Sequence, residues 1–387
     1  MLCLKKKDIS SENFNLVITK SQNQSFKLMS TKIKQLDFSG QKIYVGIDVH
    51  RKHFTVSIQG EELFYKTFNQ PPKAEILTDY LKRHYPGASY LAAYEAGFSG
   101  FWLHEELEKQ GIKCIVVNAC DIPTTDREKK QKRDPLDSRK ISRSLKNGEL
   151  QALHVPEKWN QEDRGLLRIR EKIVGDQTRC RNRIKAQLYF YGIEYPEQFL
   201  HSGTHWSQRF MDWLDQLKFG QESGTTTLKL LLKEATGLRE LLLESNKSIL
   251  KLSQQERYRE NVKLLLSVPG VGRLTAMILL TELGDITRFR DLDHLCAYLG
   301  LMPNVYASGD KEIVGDMTKR GNKHLRSSII ESSWVAIRND PALSLKYHQL
   351  CGRMDGNKAI IRIARKLLNR IRYVLLNKEE YKFALAA

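Results

Sequence analysis

The chain has 387 residues, of which 41% are hydrophobic and 28% are charged, a composition typical of a globular protein with about two to three domains. Its net charge of +18 favours a polyanionic partner, nucleic acid before an anionic membrane surface. No apolar run approaches the ~20 residues of a membrane span, and the six scattered cysteines form no Cys-x-x-Cys pair. Neither a disulfide framework nor a zinc site is therefore predicted, and we expect a reducing cytoplasm.

Residues 1–40 are rich in Lys, Ser, Asn and Gln, which predicts a flexible basic extension. From residue 41, apolar runs with period-two alternation predict strands, and runs with helical periodicity predict helices between them. The predicted elements, in chain order, are strands Lys42–Val49, His53–Gln59 and Leu63–Phe68, a helix from Pro72, a strand Tyr90–Glu95, a helix Phe101–Gln110, a strand Ile112–Asn118 and a helix Asp134–Lys146.

This order predicts an α/β RNase H-like domain over residues 41–155, in which the first strand, the fourth strand and the last helix meet at one edge of the sheet. Residues 156–258 carry apolar residues at helical and heptad spacing, which predicts two long helices around an irregular segment, in an antiparallel coiled coil. That region is either an ordinary helical core or an oligomerisation arm. Residues 259–387 are predicted to form a mainly helical domain with glycine-marked turns at 269–272 and 307–309.

Four carboxylates occupy positions that a metal-dependent nuclease needs. Asp48 lies inside an apolar strand, Glu95 closes a second one, and Asp134 and Asp137 are three residues apart at a helix start. An acid inside a buried strand is costly unless its charge is compensated, and converging acids usually bind a divalent cation. Taken singly, each acid has a structural explanation as a helix cap, a first-turn acid or a strand end. Their order along the chain favours a joint role in two-metal phosphodiester chemistry.

Basic residues surround the acids and continue into the next helix, where they could follow a phosphate backbone without reading sequence. The segment Ser267–Ala276 resembles a helix-hairpin-helix element, whose glycines let the backbone approach a phosphate; a tight helix-helix turn is the alternative. The residues predicted to contact nucleic acid are Lys132, Arg133, Arg139, Arg168, Arg181, Gly270, Gly272, Arg273, Lys319, Arg320 and Lys323.

Ser308 is a candidate nucleophile. A serine before a glycine is ordinarily a turn residue. The lysines and arginines that follow it, from Lys311 to Arg326, would suit a hydroxyl that attacks a phosphate.

The chain resembles the IS110-type transposases over residues 41 to about 350. The markers are Gly46-Ile47-Asp48-Val49-His50, Tyr94-Glu95-Ala96-Gly97, Lys132-Arg133-Asp134-Pro135-Leu136-Asp137-Ser138, Val268-Pro269-Gly270-Val271-Gly272, Tyr298-Leu299-Gly300-Leu301-Met302-Pro303, Ser308-Gly309 and Lys319-Arg320-Gly321-Asn322. Two positions depart from the family pattern: Ser138 replaces the usual alanine, and Asp310 follows the Ser-Gly pair.

The resemblance implies a RuvC-like domain in which Asp48, Glu95, Asp134 and Asp137 bind Mg²⁺, with Mn²⁺ as an alternative. It also implies a transposase domain in which Ser308 attacks DNA and forms a phosphoserine link. The expected partners are double-stranded DNA, a structured guide RNA and further copies of the chain in a dimer or tetramer, with no membrane partner. The expected location is the cytoplasm of a prokaryotic cell, in association with the nucleoid.

The sequence therefore predicts a transposase or recombinase of a mobile element that cuts and rejoins DNA through Ser308. One alternative is a RuvC-like hydrolytic nuclease or Holliday-junction resolvase that uses water as its nucleophile. A second alternative is a nucleic-acid-binding protein whose acidic site has lapsed.

Overall fold

A computed structural model describes residues 37–124, 134–308, 311–318 and 320–383. The chain divides into two compact units, Met1–Val155 and Pro156–Ala387. Among the described residues, none of the helices combines the length and the apolar character needed to cross a bilayer.

The first unit is a mixed five-stranded sheet with helices, as predicted. The strand order is β3-β2-β1-β4-β5, in which β1 is antiparallel to β2 and parallel to β4. Each of the eight predicted elements is present, with ends within two residues of the predicted ones. The strands are β1 Lys42–Val49, β2 Phe54–Gln59, β3 Phe64–Gln70, β4 Ser89–Glu95 and β5 Lys113–Val117, and the helices are α1 Ala74–His84, α2 Trp102–Lys109 and α3 Asp134–Lys146.

Strand β1 alternates between two differently covered faces. Ile43, Val45 and Ile47 are fully buried in a core that also contains Leu77 of α1 and Leu103 of α2. Burial of each such side chain contributes about 1.5–3 kcal/mol. Because side chains alternate across a strand, the residues between them, including Gly46 and Asp48, belong to the opposite face, where α3 packs against β1, β2 and β4.

Gly46 is the point where α3 rests on the sheet. A Cβ atom at this position would lie 2.1 Å from the Ser138 carbonyl oxygen and 2.4 Å from the Ser142 amide nitrogen. Ser138, one of the two positions that depart from the family pattern, makes a polar contact here, since its hydroxyl oxygen is 2.8 Å from that of Ser57. The Ser57 hydroxyl is in turn 2.8 Å from that of Thr67. The helix face against the sheet is thus made of small residues, which lets backbone meet backbone.

We expect Gly46→Ala to destabilise the first unit by about 1–3 kcal/mol or more, the usual cost of overpacking a tight contact. The measurement is thermal unfolding followed by circular dichroism, where a loss of several degrees is expected. Gly97→Ala is the matched control, because a Cβ there would meet nothing within 4 Å. Equal melting temperatures for the two variants would contradict the close contact.

The second unit begins with two long helices, α4 Lys158–Phe190 and α6 Glu222–Ser253. Their pairing is antiparallel: Arg170 bonds Asn246, whereas Gln187, later in α4, bonds Gly224, early in α6. The predicted irregular segment between them contains a further helix, α5 Gln208–Gln216. It forms because Phe210 and Leu214, four residues apart on one face, are buried in the core shared by the long helices.

The rest of this unit is mainly helical, as predicted, around one large core. The prediction missed a hairpin of two strands, β6 Pro303–Ser308 and β7 Lys311–Met317. Its aromatic and β-branched residues were a usable signal for strands. The helices are α7 Glu256–Leu266, α8 Arg273–Leu283, α9 Leu292–Leu299, α10 Lys323–Asn339, α11 Pro341–Cys351 and α12 Gly356–Asn377.

Candidate active site and nucleic-acid-binding residues

The carboxyl ends of β1 and β4 place two of the predicted acids side by side. Ile47 pairs with Tyr94 in the parallel register of the two strands, and both side chains are fully buried on the α1–α2 face. The next residues, Asp48 and Glu95, therefore belong to the opposite face, at the same level of the sheet. This is the face that α3 covers.

The first turn of α3 brings the other two acids to Asp48. The Nε2 atom of His50 lies 3.1 Å from Asp48 Oδ2 and 3.3 Å from Asp134 Oδ2, so the imidazole bridges the two carboxylates. Asp137 Oδ1 accepts a hydrogen bond of 3.3 Å from Lys140 Nζ. Asp134 and Asp137 lie in this turn because Ser138, which follows them, is the residue fixed over Gly46.

Burial raises the pKa of the Asp48 carboxyl. His50 lowers it in part, and the negative charges of Asp134 and Asp137 raise it further. The net pKa of Asp48 lies above its ordinary value, so its ionised form is disfavoured in the folded protein. A divalent cation near these oxygens would remove that cost.

Sequence reasoning missed two site residues, His50 and His53. They flank the β1–β2 turn, where the His50 amide donates to the His53 carbonyl at 3.0 Å. His53 Nε2 is 4.0 Å from Asp134 Oδ2, and one ligand atom from each of His50, His53 and Asp134 lies within 4.8 Å of the others. The available signal was a histidine two residues after an acid, at the end of the same strand.

The donor set fits a divalent metal. Carboxylate oxygens suit Mg²⁺ and Mn²⁺, and an imidazole nitrogen adds preference for transition metals such as Mn²⁺ over Mg²⁺. The pKa of Asp48 is raised mainly by burial and further by the charges of Asp134 and Asp137, a cost that a bound cation would offset.

We expect Asp48→Asn to raise the melting temperature in EDTA at pH 7. The carboxyl has a raised pKa in the folded state, so its ionised form opposes folding at pH values above that pKa, and the amide removes this cost. In excess Mn²⁺ the order should reverse, because only the wild-type protein gains stability from tight binding. Thermal unfolding with and without metal measures both effects. A wild-type melting temperature that metal does not change would contradict the site.

Ser308 ends β6, and its backbone pairs with Lys311 of β7. Its side chain lies outside the described part of the structure, as do Lys132, Arg133 and Lys319. The base of the hairpin is described. Gly300 and Gly321 meet backbone to backbone there, since a Cβ at Gly321 would lie 2.4 Å from the Gly300 nitrogen.

Polar contacts strengthen this base. Arg326 Nη1 donates to the Thr318 carbonyl at 2.7 Å, and the Asn322 amide nitrogen donates to the Tyr298 carbonyl at 2.8 Å. The Asn322 side chain accepts from the amides of His324 and Leu325 and caps α10. The segments around Tyr298 and Asn322, distant in sequence, are thus joined beneath the hairpin.

Arg168, one of the predicted nucleic-acid contacts, pairs with an acid of the second unit. Its Nε and Nη2 atoms bond the two carboxylate oxygens of buried Glu282 at 2.7 and 3.0 Å. Asn322 Nδ2 also donates to Glu282 at 2.7 Å. Burial acts to raise the pKa of Glu282, but these bonds and the charges of Arg168 and Arg164 outweigh it, so the pKa lies below its ordinary value.

We expect Arg168→Ala to destabilise the protein by about 1–3 kcal/mol, the cost of leaving a buried acceptor short of a donor. Urea unfolding measures it. Lys172→Ala, which removes an exposed cation from the same helix, is the control and should change the midpoint little. A larger effect at Lys172 than at Arg168 would contradict the structural role of Arg168.

The remaining predicted contacts have mixed surroundings. Gly270 packs against α10, where a Cβ would lie 2.3 Å from the Ser332 carbonyl oxygen, so its missing side chain serves helix packing. Gly272 is open, with nothing within 4 Å of a built Cβ, and precedes Arg273 at the start of α8. Arg139 bonds Thr67. Arg181 lies on α4, Arg320 lies in the loop before α10, and Lys323 is the first residue of α10.

Comparison with known proteins agrees with these features. The family model of the DEDD transposases of IS110 elements, described as "Transposase", matches residues 45–193. A second model, "Transposase IS116/IS110/IS902 family", matches residues 262–349. Together the two matches take in both units and more than half of the chain.

Several similar proteins are also named as transposases. The chain is 29% identical over 305 residues to putative transposase y4rJ of Sinorhizobium fredii, covering 71% of this chain and 74% of the relative. It is 27% identical over 305 residues to the transposase for insertion sequence element IS1533 of Leptospira borgpetersenii, covering 76% and 85%. It is 26% identical over 263 residues to the transposase for insertion sequence element IS1111A of Coxiella burnetii, covering 66% and 69%.

These matches identify the protein as a transposase. The acidic cluster at the edge of a mixed sheet and the mainly helical second unit agree with that class. The chain belongs to the IS110 family of insertion-sequence transposases.

Proposed function

We propose that the first unit is an RNase H-like, RuvC-like nuclease domain whose acids bind Mg²⁺ or Mn²⁺. The support is the strand order, with three antiparallel strands beside two parallel ones, and α3 on the face that carries Asp48. The observation that carries the proposal is the bridging of Asp48 and Asp134 by His50 at 3.1 and 3.3 Å. Acids 86 positions apart in the sequence are thus both within 3.3 Å of one imidazole nitrogen, which supports a shared site.

In this proposal Asp48, Glu95, Asp134 and Asp137 hold the cations, and His50 holds Asp48 and Asp134 in place. The bound metal would stabilise negative charge on the phosphate oxygens and on the leaving oxygen. Lys140 neutralises part of the acidic cluster through Asp137.

We propose that Ser308 is the nucleophile. Its hydroxyl oxygen would lose its proton and form a bond to a backbone phosphorus of DNA, while the bond from that phosphorus to one sugar oxygen breaks and that oxygen takes up a proton. Because one phosphate ester replaces another, the strand can be rejoined without a further source of energy. Attack by another sugar hydroxyl on the same phosphorus rejoins the strand and frees Ser308. The support is its position at the end of β6, on a hairpin with a firmly packed base.

The basic residues Arg320 and Lys323 at that base would attract the phosphate backbone. A structured guide RNA and an assembly of several copies stay predictions from the family resemblance.

The second candidate is a metal-dependent hydrolytic nuclease. It is favoured by one observation: the described acids gather within the first unit and could act on a phosphodiester with water as the nucleophile. The two candidates differ in whether the protein becomes covalently attached to DNA.

The test uses a nicked DNA substrate bearing the ends of the element, on which a covalent intermediate accumulates. We expect the wild-type protein to form a denaturation-resistant adduct. Ser308→Ala should abolish the adduct and recombination, and Asp48→Asn should reduce recombination at least 100-fold, because the metal would lose a ligand. Ser327→Ala, at an exposed serine of α10, is the control and should leave both intact. Strand cutting by Ser308→Ala at the wild-type rate would favour hydrolysis.

A further inference from the structure

The helical part of the second unit contains a cavity that the proposed reaction does not use. It has a volume of about 290 Å³ and lies between α4, α6 and the beginning of α5. That volume is at the lower end of the ~300–1,000 Å³ of ordinary ligand pockets. Its walls include Gln177 and Arg181 of α4, Arg239 of α6, and Trp206 and Met211, together with one acid, Glu240 of α6.

Trp206 has an unusual backbone conformation in this wall. Its φ is +69°, in the left-handed region where a bulky residue costs of order 1–3 kcal/mol. The neighbouring core holds it there, since its indole packs edge-on against the ring of buried Phe210, with centroids 5.5 Å apart. The conformation directs an indole, half-buried, into the cavity wall.

Two cations face the same cavity. The Arg181 guanidinium lies 5.0 Å from the centre of the Trp206 ring. Burial lowers the pKa of Arg181, and the positive charge of Arg239 lowers it further, so the two guanidinium groups repel each other. Across residues 156–308 and the later described segments, neither arginine has a salt bridge to an acid. By contrast, Arg179 and Arg183 of the same helix are paired with Asp176 and Glu234.

An aromatic ring, two guanidinium groups that form no salt bridge and an amide side chain line one concave space. These are the parts of a nucleotide site, and the two positive charges outnumber the single negative charge of Glu240. Aromatic and guanidinium planes stack on unpaired bases, and guanidinium groups bind phosphates. A base-paired helix shields its ring faces, so a duplex could offer this cavity only its phosphates.

We propose that this cavity binds an unpaired nucleotide of a single-stranded nucleic acid. The base stacks against Trp206, the phosphate lies between Arg181 and Arg239, and Gln177 donates to or accepts from the edge of the base. The inference rests on the proposed function only in that the partner is nucleic acid. It adds a site remote in sequence from Asp48 and Ser308, with a preference for single strands.

The test measures binding of fluorescein-labelled 12-nucleotide single-stranded RNA, single-stranded DNA and the matching DNA duplex to the full-length protein by anisotropy. EDTA is present, so that the acidic site neither cuts nor binds metal. We expect Trp206→Leu and Arg239→Gln to weaken single-strand binding about tenfold and duplex binding less than twofold. Arg179→Gln, which removes an equal charge from α4 outside the cavity, should change single-strand binding less than threefold.

Arg239→Gln keeps the inference testable if Trp206→Leu unfolds, because Arg239 is exposed. Weakening for RNA alone, or for RNA and DNA together, supports the site and identifies the source of the strand. Equal weakening of duplex and single-strand binding, or unchanged single-strand binding in Arg239→Gln, overturns it. Asp48→Asn should bind the single strands as the wild type does, so that failure of the acidic site and failure of this cavity give different results.

Discussion

The contact of α3 with β1 at Gly46 controls the geometry of the acidic site. The Ser138 carbonyl occupies the space that any side chain at position 46 would fill. Because the helix rises 1.5 Å per residue, fixing Ser138 there also fixes the first turn of α3, which holds Asp134 and Asp137, over the end of β1. The gathering of negative charge is thus a consequence of backbone packing, and the free energy of that packing offsets the repulsion.

A close backbone contact at glycines also lies at the base of the hairpin that carries Ser308, in the second unit. Gly300 and Gly321 allow two chain segments to approach more closely than they could if either residue had a Cβ atom. Glu282, buried and paired with Arg168, supports the same place through Asn322. Two of the family's sequence markers, around Gly300 and Gly321, therefore have a structural reason for existing together.

The cations of this basic chain fall into two groups. Some are neutralised internally, as Arg168 is by Glu282 and Arg183 is by Glu234. Others, such as Arg181 and Arg239, line a cavity and form no salt bridge among the described residues, although Glu240 lines the same cavity. Net charge alone does not separate the two groups, because a paired arginine and a free one count equally in a composition.

The sequence by itself determined the secondary structure of the first unit, from β1 Lys42–Val49 to α3 Asp134–Lys146, because local periodicity controls these elements. The order of Asp48, Asp134 and the family markers along the chain could also be read from the sequence. The tertiary structure alone decided that His50 bridges Asp48 and Asp134, that Arg168 pairs with Glu282, and that a hairpin interrupts the helical unit. These features depend on contacts between residues far apart in the chain, which local periodicity does not contain.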